Sequence, residues 1–447
     1  MDRDTVEPQV ETIPGERAKR WADYHHQFAA PSTYVYEFVW DTGAEAIGPF
    51  CTDVDGNVLL DFTSHVAAAP LGYNNPAVRE RLREFDLVDP LKIAGQDFYV
   101  SGGGSPADAD FPGPTQLMDR LVAMTDHYDM DRVFLSNSGA EAVENAIKIC
   151  YANGGHRAVT FEGAFHGRTL GALSLNRSKA VHRTGYPEVP GVISVPYPAS
   201  QEAYETRWRT DGPGGNVLAD KLDPDQGVID PEEIAYIILE PLQGEGGYRV
   251  PHPEFARDLD ALRERYGINV IADEIQSGLG RTGELWAVDH LDLTPDVITS
   301  AKGLRVGATI SRSDVFPEET GRLSSTWGAG DFIAAMQGVL TIDAIHEQNL
   351  LANVRERGEQ LRAIVEEADL EGVVDVRGRG LMLAVEFDTK ERREAVVEAA
   401  FRRGLLTLGC GHSTLRLLPP LDVTEREIEL GARLLFEAIA DVAAADA

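Results

Sequence analysis

Four short segments of this chain carry residue types that can do chemistry, and each follows a run that reads as a β-strand. Ser136-Asn-Ser-Gly-Ala140 places small residues where a strand gives way to a helix. The first amides of a helix have no preceding turn to bond, and with the helix dipole they suit a phosphate. An ordinary N-cap by Asn137 or Ser138 explains the same residues. Phe161-Glu-Gly-Ala-Phe-His-Gly-Arg-Thr169 crowds an aromatic ring, a histidine and an arginine between glycines. Arg168 can grip a carboxylate through two hydrogen bonds, and Phe165 can stack on a flat ligand; surface charge and packing are their competing uses. Ile271-Ala-Asp-Glu-Ile-Gln276 delivers Asp273 from an apolar run. A carboxylate leaving a buried strand needs a cation, because desolvating an unpaired charge is expensive; that cation is a structural arginine or a protonated heteroaromatic nitrogen. Val297-Ile-Thr-Ser-Ala-Lys302-Gly ends a strand-like run in one of seven lysines. Burial lowers an amine's pKa and frees its lone pair to form an imine with an aldehyde. Lys148 competes for that role, but its helical position lets its head reach water.

The elements that must hold these residues alternate. Short β-rich runs at Arg132–Leu135, Ala158–Phe161, Val192–Pro196, Ala235–Leu239 and Asn269–Ala272 are separated by helical stretches or Gly/Pro-rich turns, the pattern of a mainly parallel α/β sheet. In Ala140–Tyr151, residues Val143, Ala146, Ile147 and Cys150 form one apolar stripe that reads as core. Beyond Asp331 the texture changes to long helices at Phe332–His346 and Leu350–Ala368. Strands follow near Val373–Arg377 and Leu381–Phe387, then a helix, a strand ending near Leu418 and a last helix from Thr424. This predicts a smaller α+β domain over 336–447, a large domain over 76–335, and an N-terminal segment, 1–75, packing with the small one. The Gly-, Asp- and Pro-rich stretch Asp211–Asp230 reads as a surface excursion.

Composition bounds the partners. Of 447 residues, 43% are hydrophobic and 26% charged, as in a globular protein, while 41 basic against 73 acidic residues give a formal charge of −32. That field repels nucleic acid and anionic membranes. With so few lysines, the carboxylate excess reads as adaptation to high salt, where counterions screen self-repulsion. Cys51, Cys150 and Cys410 are far apart with no CxxC pair, so free thiols and no metal site are expected. The polar first residues and the lack of a long apolar run predict a cytoplasmic protein.

A phosphate cradle, an aromatic plate, a buried carboxylate and an imine-forming lysine together are what pyridoxal 5'-phosphate requires. At these residues the chain resembles the class III (ω-amino acid) aminotransferases of the fold-type I pyridoxal-phosphate enzymes. The resemblance runs from about Phe50 and rests on Asn-Ser-Gly-Ala-Glu-Ala-Val-Glu-Asn-Ala, Ala-Phe-His-Gly-Arg-Thr, Glu240-Pro-Leu-Gln-Gly-Glu-Gly-Gly247, Asp273-Glu-Ile-Gln-Ser-Gly-Leu-Gly-Arg-Thr-Gly283 and Ala301-Lys-Gly. It implies a large domain with a seven-stranded sheet and a smaller α+β domain. It also implies that Lys302 is the Schiff-base lysine, that Asp273 partners the pyridine nitrogen, that Phe165 stacks on the ring and that Gln276 reaches its phenolic oxygen. Ser138, Gly139 and Ala140 would bind the phosphate, joined by Thr326 from the neighbouring subunit, so a homodimer with shared sites is implied, alone or as a dimer of dimers. Arg168 would take a carboxylate remote from the reacting amine and Arg416 an α-carboxylate, with Glu245 covering Arg416 until glutamate enters.

The chain departs from the family's pattern at Leu304-Arg-Val-Gly-Ala308 after the lysine and at Trp327-Gly-Ala-Gly-Asp331 after the threonine. Similar shortening marks the subgroup of 4-aminobutyrate and L-lysine 6-aminotransferases. Where the animal enzymes have cysteines near the phosphate loop this chain has Ser138 and Glu141, so no iron–sulfur cluster is expected. The resemblance implies transfer of an ω-amine, preferentially from 4-aminobutyrate, to 2-oxoglutarate. L-Lysine is the rival donor, and racemase or aminomutase chemistry the alternative from another class. Val66, Ala67 and Ala68 are expected to line the donor pocket.

Overall fold

A computed structural model, describing residues 1–33, 38–86, 100–324, 326–327 and 329–446, turns the short apolar runs into strands whose residues are largely hidden on both faces. Every residue of Ile234–Leu239, Val297–Ser300 and Gly307–Ser311 is buried. Among the described residues, seven strands form one sheet in the order Arg132–Ser136, Gly307–Ser311, Val297–Ser300, Asn269–Asp273, Ile234–Leu239, Arg157–Phe161, Val192–Val195. Gly307–Ser311 alone runs against its neighbours; the other pairings are parallel. Six strands therefore point one way, and their carboxyl ends share an edge, where open α/β sheets bind ligands. The predicted stripe is core: Val143, Ala146, Ile147 and Cys150 of the Gly139–Asn153 helix pack in one cluster with Ala158, Tyr236, Ile238, Ile271 and Val297.

The chain divides into two compact units, Glu80–Leu351 and Met1–Arg79 with Ala352–Ala447. The boundaries thus fall later than the 75/76 and 335/336 divisions expected from sequence. Phe332–Glu347 stays with the large unit because it packs on the Pro114–Met124 helix and the Lys302–Leu304 turn, burying Phe332, Ala335, Met336, Val339 and Ile342. The Asp211–Asp230 stretch is likewise only partly a surface excursion. Asn216 caps a short helix, Val217–Lys221, and Leu218 and Leu222 are fully buried; exposed residues flank it at Asp211, Pro213 and Gly215 and at Pro224–Gln226, Val228 and Asp230.

In the smaller unit an antiparallel sheet, Val373–Arg379, Met382–Phe387, Thr414–Leu417 and Leu408–Cys410, lies in the same unit as a sheet of Phe50–Thr52, Val58–Asp61 and Leu405–Leu406. N-terminal Arg3 is tied to Asp422 and Glu427. Val66 and Ala67 sit in a run, Ser64 to Ala67, with φ values of 43°, 52°, 59° and 70°. For residues with a Cβ this conformation costs roughly 1–2 kcal/mol each, and buried Asp61 holds it. Its Oδ1 accepts from the Thr63 amide at 2.7 Å and the Thr63 hydroxyl at 2.6 Å, while Oδ2 accepts from Tyr73 Oη at 2.8 Å. Among the described residues no helix is long and apolar enough to cross a membrane.

Beyond Asp273 the chain is fixed by a second carboxylate. Glu274 is 1% exposed; it accepts from Ser277 Oγ at 2.5 Å and from the Val288 amide at 2.7 Å. Burial raises its carboxyl to about 7, partly offset by those donors. The folded state therefore favours the protonated acid, and this contribution to stability is complete below pH 4.5 and is lost as pH rises through 7. Glu274→Gln, neutral throughout, should gain on the order of 3 kcal/mol relative to the parent between pH 4 and pH 8. Unfolding curves of both proteins at the two pH values check this; a difference independent of pH would show that Glu274 is not the titrating group.

Candidate active site

Asp273, Lys302, Phe165 and the Ser138–Ala140 turn sit at the carboxyl edge of the large sheet because each closely follows one of its strands. Asp273 is the last residue of Asn269–Asp273 and pairs in register with Thr299 on the adjacent parallel strand. Lys302 opens the turn just beyond that second strand. The register thus puts the carboxylate and the amine on neighbouring strands at one edge, with Lys302 half-buried.

Asp273 is 4% exposed, and within the protein it meets a histidine rather than a structural arginine. Its Oδ2 lies 2.7 Å from His166 Nδ1, while Oδ1 accepts from the Ile275 amide at 3.1 Å. With an ionised carboxylate as acceptor, Nδ1 carries the proton. His166 Nε2 is buried with no hydrogen-bond partner. The sequence displayed this histidine beside Phe165 but gave no sign of what it would meet, since the two partners are 107 residues apart.

Phe165 is half-buried, and its backbone amide donates to Glu240 Oε1 at 2.9 Å. The exposed guanidinium of Arg168 stands 5.5 Å from its ring centroid, and His182 meets its edge at 5.5 Å. Around this ring lie further charges: Lys179 Nζ contacts Glu245 Oε1 at 2.5 Å. The His182 pKa is held below the usual range by burial first and then by the charges of Arg168 and Lys179, against a raising influence of Glu245. Lys179 was not singled out from sequence; its being one of only seven lysines was the available signal. Within its own unit Glu245 is thus paired with Lys179. Arg416 belongs to the other unit, where it sits buried on Thr414–Leu417 opposite Ala384 and Leu408.

The cradle is built where Arg132–Ser136 passes into the Gly139–Asn153 helix. Ser138 caps that helix by accepting from the Glu141 amide at 3.2 Å, so Gly139 and Ala140 occupy its first turn, where amides lack helical acceptors. Gly307 on the next strand permits this approach: a Cβ there would lie 2.2 Å from the Ser138 carbonyl and 2.3 Å from Ser136 Oγ. Within the chain Thr326 also meets the loop: Asn137 Nδ2 donates to Thr326 Oγ1 at 2.6 Å, and that hydroxyl faces Glu141 at 3.1 Å.

These residues fit pyridoxal phosphate. Gln276 Oε1 is buried without a hydrogen-bond partner; turned over, the amide presents its N–H there to a ligand oxygen. The helix terminus suits the phosphate, Phe165 the ring face, Asp273 the ring nitrogen and Lys302 the aldehyde.

Known proteins agree with this arrangement. The family profile of class-III aminotransferases matches residues 41–439. An acetylornithine aminotransferase of Methanopyrus kandleri is 34% identical over 393 residues, covering 87% of this chain and 91% of that protein. An alanine/serine racemase of Pyrococcus horikoshii is 31% identical over 454 residues, covering 96% and 91%. The structure of a lysine aminotransferase from M. tuberculosis superposes with a TM-score of 0.79 at 26% identity, covering 96% of this chain and 100% of the other. With the profile spanning most of its length and the cofactor residues gathered at one sheet edge, this chain belongs to the class-III aminotransferases, transaminases that depend on pyridoxal phosphate.

Proposed function

We propose that the protein moves the terminal amine of an ω-amino acid, preferentially 4-aminobutyrate, to 2-oxoglutarate, giving a semialdehyde and glutamate by ping-pong kinetics. The observation that carries this reading is the cationic cluster at the rim of Phe165. Arg168 lies 5.5 Å from the ring centroid and Lys179 accompanies it through Glu245. A donor carboxylate held by Arg168 stands only a few carbons from chemistry on the ring that Phe165 stacks against, which favours a short chain.

Pyridoxal phosphate, when bound, supplies the electron sink that stabilises the carbanion left when a proton departs the amine-bearing carbon. The chain does the rest. Asp273, oriented by His166, would hold a proton on the ring nitrogen. Lys302 Nζ would take up and return a proton as general base and then acid. Gln276 would donate from its amide nitrogen to the phenolic oxygen. Arg168 would orient the donor's far carboxylate, and Glu245, bonded to Lys179, would be the carboxylate on the substrate side.

Two other readings have support. The acetylornithine aminotransferase among the relatives favours a longer ω-amine, and the racemase favours turnover without net amino exchange. Family membership supports a homodimer, alone or paired, and the acidic surface supports a protein suited to high salt in the cytoplasm.

Initial rates at equal donor concentration with 2-oxoglutarate should rank 4-aminobutyrate above L-lysine and N-acetylornithine. A faster reaction with either of those would replace the donor, and interconversion of enantiomers with no glutamate formed would replace the reaction. Lys302→Ala should lower turnover by about a thousandfold or more. Arg168→Ala should raise KM for 4-aminobutyrate by roughly tenfold to a hundredfold with little change in kcat, as loss of a charge-assisted bond to substrate implies. Steady-state kinetics of the two variants would show these roles misassigned if the pattern were reversed. Across a sodium chloride series the melting temperature should climb from dilute buffer to molar salt, as screening relieves like-charge repulsion; a flat series would remove the salt-adapted reading.

A further inference from the structure

Among the buried ionisable groups, one at the same sheet edge has no part in the chemistry above. Glu240 follows the Ile234–Leu239 strand directly and is 7% exposed. Its two carboxylate oxygens serve two different loops: Oε1 accepts from the Phe165 amide at 2.9 Å and Oε2 from the Gly244 amide at 2.8 Å. Its own carbonyl accepts from Tyr197 Oη at 3.0 Å, which fixes the base of the side chain. The first loop carries the aromatic plate; the second carries Glu245.

The two loops also touch without Glu240. A Cβ on Gly246 would lie 2.6 Å from the Gly163 carbonyl, and one on Gly163 would lie 2.6 Å from Gln243 Oε1. Gln243 Nε2 donates to the Glu162 carbonyl at 2.8 Å. Such close backbone approach is possible only with glycine on both sides, and it leaves the buried amides to be satisfied by a single acceptor that reaches both.

We propose that Glu240 is a positioning residue that clamps the Phe165 loop and the Gly244–Glu245 loop into one body, so that Glu245 swings by side-chain rotation while its backbone stays fixed. The inference rests on the reading of Phe165 as the ring plate and Glu245 as the substrate-side carboxylate. It explains why a buried acid is kept in a position where burial raises its carboxyl to about 7, with His166 lowering that value and Asp273 raising it. A neutral side chain would avoid the desolvation, but only a carboxylate offers two equivalent acceptors. An amide offers one oxygen and sets an N–H against the other loop's N–H.

The test is hydrogen exchange on the holoenzyme at pH 8, where Glu240 is ionised, comparing the parent with Glu240→Gln. Peptides covering 161–168 and 242–248 should both exchange faster, by about tenfold or more, as expected for loss of one charge-assisted hydrogen bond. The strands 234–239 and 269–273 should be unchanged. The visible circular dichroism of the bound cofactor should change in the same variant, because its plate has moved. Acceleration in one loop alone, in neither, or in the strands as well would overturn the clamp. Should Glu240→Gln not fold, the parent protein decides: one clamp requires the Phe165 and Gly244 amides to exchange at a common opening rate, and separate rates would refute it. None of these readouts depends on the donor, so an error in the 4-aminobutyrate assignment and an error here give different results.

Discussion

A negative charge held out of water at the end of a parallel strand is the constraint on which the rest of the site depends. Asp273 emerges from a sheet whose faces are both covered, at 4% exposure. An ionised carboxylate in such a place is stable only if every oxygen is answered. His166 answers one and the Ile275 amide the other, and the price of that arrangement is a histidine whose far nitrogen has no partner. The imidazole is fixed in one tautomer as a result. A charge so anchored cannot relax away from a pyridinium placed beside it, which is the property that makes it useful. The glycines of the Phe161–Thr169 loop answer a different need: both have positive φ, and a Cβ would lie 2.6 Å from Gln243 Oε1 at Gly163 and 2.8 Å from Ala140 Cβ at Gly167.

The chain's net charge runs against its substrates. A protein of formal charge −32 repels anions such as the keto acids that aminotransferases take, yet Arg168, Lys179 and His182 gather at the rim of the Phe165 ring. Local field outweighs distant charge within a Debye length, about 8–10 Å at moderate ionic strength, and more completely as salt rises. The acidic surface and the basic rim are therefore compatible in salt, where the surface repulsion fades with distance and short contacts persist. Glu245 belongs to the same balance: bonded to Lys179, it offsets one of the rim's positive charges.

What could be read in one dimension was what local pattern determines. Short apolar runs became buried strands, the stripe Val143, Ala146, Ile147 and Cys150 became core, and Lys302 and Asp273 came to one edge because parallel strands end together. What could not be read were the partners. His166 and Asp273 are 107 residues apart, Glu240 and Phe165 are 75, and Lys179 and Glu245 are 66; no periodicity encodes which polar group will meet which. The late unit boundary has a similar cause. The Phe332–Glu347 helix reads like its successor Leu350–Glu367, and only packing on Pro114–Met124 assigns it to the larger unit. Leu218 and Leu222 anchor the Asp211–Asp230 stretch, whose composition reads as solvent-exposed, because a few buried side chains outweigh many polar ones in fixing a loop.

Relatives named as an acetylornithine aminotransferase and as an alanine/serine racemase share this architecture at comparable identity, and the physical division of labour accounts for that. Residues that act on the cofactor end strands or open the helix after one, where the sheet dictates their position. Arg168, Lys179 and Glu245, the side chains proposed for the substrate's far end, lie on loops, are exposed or half-buried, and can change without disturbing the sheet. Proton transfer at the amine-bearing carbon is common to amino exchange and racemisation; what differs is whether the carbon is reprotonated or the nitrogen leaves with the cofactor. That choice depends on where the proton is delivered and on what holds the carboxylates. In this chain Glu240 joins the loop bearing the ring plate to the loop bearing Glu245, so a change in carboxylate recognition is transmitted to the plate through two hydrogen bonds rather than through the sheet. Specificity can then drift among relatives while Asp273 and Lys302 stay where the parallel strands put them.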